Sequence, residues 1–176
     1  MKKIILMGRV SAGKTTLTQA LRGESIRYEK TQYIHHTDVV IDTPGEYAET
    51  AHLGRALALY TYEADVVGLL LSATEPYSLY PPCVTSSCNR PVIGIVTHIH
   101  APDGDPARAE RWLRLAGCRT VFWVDSTTGE GIDPILQYLS GEEPPETARI
   151  PSDPKGKSQP TRSVGFFCGA GRHRCR

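Results

Sequence analysis

The sequence predicts an α/β fold in three layers, a mostly parallel sheet with helices on both faces. Three observations carry that expectation. Apolar runs of strand length alternate with segments of helical period. Ile4-Ile5-Leu6-Met7, Val66-Val67-Gly68-Leu69-Leu70-Leu71 and Val92-Ile93-Gly94-Ile95-Val96 are apolar without alternation, as strands covered on both faces are. Finally, Gly8-Arg9-Val10-Ser11-Ala12-Gly13-Lys14-Thr15 fits G-x-x-x-x-G-K-[ST] and stands between the first of those runs and the helix-forming Thr16-Leu17-Thr18-Gln19-Ala20-Leu21.

Taken in order, residues 2–7 read as the central strand and residues 14–22 as the first helix, ending near Gly23. Two extended runs follow, 31–36 and 37–41, the second closing at Asp42-Thr43-Pro44-Gly45. Residues 48–63 carry Ala51, Leu53, Ala56, Leu57, Leu59 and Tyr60 at helical spacing. Strands are expected at 65–72, 91–97 and 120–124, with a Pro- and Ser-rich loop at 76–89. A helix over 105–116 presents Trp112, Leu113 and Leu115 on its apolar side and stops at Gly117. The last helix covers 133–139, with Pro134 in its first turn. From Pro144 the apolar period dissolves, so residues 1–142 read as one nucleotide-binding domain and 143–176 as a disordered tail, with Val164-Gly165-Phe166-Phe167-Cys168 as a small oily island.

Composition narrows the class. The 176 residues suit one α/β domain, and the net charge of +1 points to neither nucleic acid nor membrane. The charge is uneven: residues 150–176 set six cations against Asp153, a net +5, which leaves −4 for residues 1–149. The N-terminal apolar run is too short for a signal peptide, and no stretch is long enough to span a membrane. Five cysteines, an odd number, read as reduced thiols of a cytoplasmic protein, and Cys83-x4-Cys88 is not a zinc spacing.

The chemistry lies along one edge of the predicted sheet. Gly8 and Gly13 let the backbone curl and present amide groups to a polyphosphate, and the helix dipole adds positive potential there. Residues Gly8, Arg9, Val10, Ser11, Ala12, Gly13, Lys14, Thr15 and Thr16 are therefore the candidate nucleotide-contacting run, with the Lys14 ammonium on the β- and γ-phosphates and the Thr15 hydroxyl on Mg2+. Asp42 at a strand end suits an acid that holds Mg2+ through water, and the Gly45 amide suits a γ-phosphate sensor. The loops after residues 72, 97 and 125 fall on the same edge, where ligands of such sheets bind.

Lys30-Thr31-Gln32 and Ile41-Asp42-Thr43-Pro44-Gly45-Glu46-Tyr47, together with the glycine loop and Pro91 to Thr97, resemble the EutP/PduV family of ethanolamine and propanediol utilisation. The resemblance covers about residues 1–142 and implies a small P-loop GTPase-like protein linked to bacterial microcompartments. It implies Thr31 as a further Mg2+ or switch residue. GTPase relatives carry [N/T/S]-K-x-D where this chain has Thr97-His98-Ile99-His100, so guanine and adenine both stay open as the base. Thr97, His98, His100 and Ser126 are the candidate base-side residues. Glu46 stands where related switches place a water-orienting glutamine, which predicts slow hydrolysis with Lys14 and Glu46 as catalytic groups. Three functions compete: a Mg2+-dependent switch using GTP/GDP or ATP/ADP, an acetate kinase-type phosphotransferase using ATP, and a non-enzymatic module docking on microcompartment shell or enzyme proteins.

Overall fold

A computed structural model describes residues 1–23, 35–36, 40–42 and 64–148. Its strands are β1 (Ile4–Met7), β2 (His35–His36), β3 (Val40–Asp42), β4 (Val66–Ser72), β5 (Val92–Thr97) and β6 (Thr120–Trp123). Its helices are α1 (Lys14–Leu21), α2 (Pro106–Leu115) and α3 (Ile132–Ser140). The strands form one sheet in the order β2-β3-β1-β4-β5-β6, parallel throughout except that β2 runs antiparallel to β3. With helices on both faces, this is the P-loop NTPase fold. The helix expected at 48–63 lies outside the described residues.

The uniform apolar runs are explained by what covers them. All seven residues of β4 are buried, as are all four of β1. On one face, Ile5, Met7, Val67, Leu69 and Val96 pack with Ala109, Leu113 and Ala116 of α2. On the other, Ile4, Leu6, Leu70 and Ile95 pack with Leu17 and Leu21 of α1 and Ile135 and Leu139 of α3. Each such side chain contributes about 1.5–3 kcal/mol on burial. Gly94 lets α2 lie close, because a Cβ there would stand 3.1 Å from the Leu113 side chain. Asp105 starts α2 by accepting a hydrogen bond from the Arg108 amide at 2.8 Å, and Pro106 follows where its missing N–H costs nothing.

One local expectation needs correction, and the structure adds detail to two others. Leu115 does not join the apolar side of α2. It is 61% exposed, and Leu113 makes the core contact while Trp112 is half-buried. The loop at 76–89 contains a 3-10 turn at Val84–Ser87, tied to the end of α2 by Cys83 N donating to Leu115 O and Thr85 N to Ala116 O. Order also continues past Pro144, since Glu146–Ala148 form a 3-10 turn that buries Ala148 in the core with α3.

Tyr80 fastens that loop to the sheet. Its hydroxyl lies 2.9 Å from Met7 O and 2.8 Å from Leu70 O, at the carboxyl ends of neighbouring strands, and one proton serves both. Burial raises the phenol's pKa far above its ordinary value, so it stays a donor. Tyr80→Phe should therefore lower stability in urea titrations by about 1–3 kcal/mol, because two buried carbonyls lose their donor. Leu113→Ala should cost about 2–5 kcal/mol, while Leu115→Ala stays within about 0.5 kcal/mol.

Candidate functional site

At the end of β1 the chain turns through a tight curl into α1. Ser11 and Gly13 take left-handed backbone conformations, φ 65° and 86°. Glycine suits that at Gly13, and Gly8 is required by space, since a Cβ there would lie 3.0 Å from both Leu70 Cβ and Leu70 O. The curl is cross-braced, with Ala12 N donating to Arg9 O at 3.1 Å. The Lys14 side chain is almost buried, and its Nζ donates to Gly8 O at 2.8 Å and Arg9 O at 2.7 Å. The ammonium thus bridges the mouth of the loop that Gly8 to Thr16 form.

These residues fit a polyphosphate and its cation. The first turn of α1 carries no acidic side chain, so its positive end is not neutralised from within the helix. Thr15, half-buried in that turn, supplies a hydroxyl of the type hard cations accept. Strand β3 ends at Asp42 with Leu6 as its register partner, which puts Asp42 at the carboxyl edge next to the loop. Thr31, Gly45 and Glu46 lie outside the described residues.

Thr97 is 2% exposed, and its hydroxyl donates to Ala12 O at 2.8 Å. It braces the glycine loop from behind. His98 follows with φ 54°, and its Cε1 would stand 3.5 Å from a Cβ placed on Gly13, so the ring flanks the loop. Its Nδ1 lies 3.0 Å from Ser72 Oγ and 3.3 Å from Thr97 Oγ1.

His100 does not join His98. Its Nε2 contacts Glu130 Oε2 at 2.6 Å, and both side chains are more than half exposed. The Glu130 hydrogen bond raises the His100 pKa above the ordinary imidazole value. Glu130 comes from the loop after β6, where Asp125 N donates to Glu130 O at 3.0 Å. Asp125 Oδ1 accepts from Thr127 N at 2.9 Å, and its hydrogen bonds from Thr127 hold the carboxyl below the ordinary range. Ser126 sits half-buried in the same loop.

Sequence reasoning singled out neither Glu75 nor Ser72 nor Glu130. Arg9 Nη1 donates to Glu75 Oε2 at 3.0 Å, and its guanidinium stands 5.5 Å from the Tyr77 ring centroid. Glu75 is itself fixed, because Arg108 Nη2 donates to Glu75 O at 3.1 Å. Glu75 and Glu130 sit in loops after strands, the places where partners of edge cations are found, and the pairing of loops distant in sequence is what only the fold supplies.

Residues 1–141 match the family model described as ethanolamine utilisation - propanediol utilisation, PduV-EutP. The chain is 42% identical to the propanediol utilization protein PduV of Citrobacter freundii, over 81% of this chain and 96% of that protein. It is 30% identical to a protein of Escherichia coli K12 named "Probable acetate kinase EutP", over 80% and 90%. GTPase Era of Mycolicibacterium smegmatis is 29% identical over 84% of this chain and 58% of its own length.

The His100–Glu130 pair sets a pH dependence with a definite sign. A raised pKa in the folded chain means the pair stabilises below the unfolded-state pKa and loses that contribution as pH rises through the folded one. In an NMR titration, His100 should titrate above the ordinary imidazole value, and Glu130→Gln should return it toward that value. A His100 titration unchanged by the substitution would break the pair as described.

Proposed function

The chain belongs to the PduV–EutP family of ethanolamine and propanediol utilisation, and on that premise we propose that it is a Mg2+-dependent guanine-nucleotide switch with slow intrinsic hydrolysis. The observation that carries the reading is the Lys14 ammonium held by Gly8 O and Arg9 O across a left-handed curl at a helix N-terminus. Phosphate oxygens would take the loop amides and the Lys14 ammonium, charge-assisted contacts stronger than neutral ones. Bound Mg2+ would neutralise phosphate charge, with Thr15, Thr31 and Asp42 as its holders. The similarity to GTPase Era supports guanine as the base.

In this reading the switch is Thr31 and Gly45 closing over the γ-phosphate and releasing after hydrolysis. Glu46 orients the attacking water less well than an amide would, since a carboxylate repels the γ-phosphate, and hydrolysis is slow. We place the protein in the cytoplasm at a bacterial microcompartment, with shell or enzyme proteins as partners. A second reading, phosphoryl transfer from ATP to acetate, is favoured by the name of the Escherichia coli relative.

Titration calorimetry separates these. GDP and GTP should bind in the presence of Mg2+, and Lys14→Ala should weaken both about ten- to a hundredfold, the cost of a lost charged hydrogen bond. Acetyl phosphate formed from ATP and acetate would move the conclusion to the kinase. Equal binding by wild type and Lys14→Ala would remove the glycine loop from the function.

A further inference from the structure

The polarity of the nucleotide on the sheet follows from the topology. The glycine loop leaves β1, with β3 on one side and β4, β5 and β6 on the other. On the proposed reading, Asp42 at the end of β3, register partner of Leu6, would mark the cation side. A nucleotide whose phosphates occupy the loop therefore extends its nucleoside across the carboxyl ends of β5 and β6. His98 at the end of β5 already flanks Gly13. Beyond it lie His100 and the loop 125–131.

The carboxyl side chains on that rim are Asp125 and Glu130. His98 is engaged at Nδ1 by Ser72 Oγ and Thr97 Oγ1. Asp125 spends Oδ1 on Thr127. Glu130 brings a carboxyl group that is more than half exposed, with Oε2 engaged by His100 and lone pairs beyond that one contact. The backbone bridge between Asp125 and Glu130 folds the loop so that this carboxylate reaches His100.

We propose that Glu130, positioned by His100, is the group that reads the nucleobase, and that it selects guanine. Guanine presents N1–H and the N2 amino group side by side, two donors that one carboxylate accepts together. Adenine presents the N1 lone pair at that edge, which a carboxylate repels. The rim thus rewards a donor edge and penalises an acceptor one. The inference rests on the nucleotide-switch reading, and it assigns the specificity to a residue of the loop after β6.

The test compares GDP, IDP and ADP by calorimetry, IDP being the guanine nucleotide without its 2-amino group. Wild type should bind GDP more tightly than IDP and more tightly still than ADP. Glu130→Gln should weaken GDP about ten- to a hundredfold and bring GDP and IDP together. His100→Ala should narrow the GDP-to-IDP ratio, and His100→Lys, which keeps a cation beside Glu130, should preserve it. Thermal melts establish that the exposed substitutions leave the fold intact. GDP binding unchanged in Glu130→Gln, with Lys14→Ala still weakened, overturns the assignment and leaves the nucleotide reading standing. A wild type that prefers ADP overturns guanine selection, and a His100→Ala ratio equal to wild type overturns the positioning role. Absence of binding by all three to wild type removes the nucleotide reading and the inference with it.

Discussion

The close approach of the glycine loop to the sheet is the constraint on which the rest depends. Gly8 leaves β1 where a Cβ would meet Leu70 of β4, and the Thr97 hydroxyl of β5 holds Ala12 O from behind. The curl is therefore built onto the ends of two strands at once, and its shape is exact only if β1, β4 and β5 stay in register. Their apolar residues, fitted against helices on both faces, resist a slip, which would turn every side chain to the opposite face and misplace every contact at the edge. Lys14 completes the brace from in front, and the same ammonium is the one a phosphate would engage.

A second set of contacts carries this rigidity outward. Arg9 reaches Glu75, Arg108 of α2 reaches Glu75 O, and Tyr80 fixes the same segment to Met7 O and Leu70 O. The segment after β4 is thus tied to the glycine loop, to a helix and to the sheet. The Arg9–Glu75 pair is partly exposed, and its worth lies in geometry more than in Coulomb energy. Arg9 turned toward Glu75 also keeps a cation near the loop with its charge compensated, which leaves Lys14 as the cation at the loop mouth itself.

The fold was legible in the sequence because its signals are local or periodic. Runs such as Val66 to Leu71 cannot form half-exposed strands, and the glycine pattern falls between a strand and a helix. What was hidden depends on tertiary contact. Leu115 has the helical spacing of a core residue, but the stripe on α2 is narrower than its sequence implies, and Leu113 alone takes the place over Gly94. The turn at 146–148 follows two prolines and lacks a period, and only the space beside α3 shows why Ala148 is buried. In the site, the glycine pattern is a local signal, whereas the hold of the Thr97 hydroxyl on Ala12 O from behind the loop depends on the fold. The His100–Glu130 pair joins residues thirty apart, and nothing short of the fold reports it.

The two halves of the site differ in a way that bears on how such a protein can vary. In the glycine loop Gly8, Ala12 and Lys14 are buried, Lys14 is held by two backbone carbonyls and an atom added at Gly8 would crowd Leu70, so these positions cannot change without loss of the fold's own contacts. The base half consists of exposed side chains on two loops, held by a hydrogen-bonded ring and an ion pair. Exposed contacts of that kind contribute little to stability, so residues there can change while the fold is kept. On the proposed reading, selectivity would be carried by the part of the site that the fold least needs.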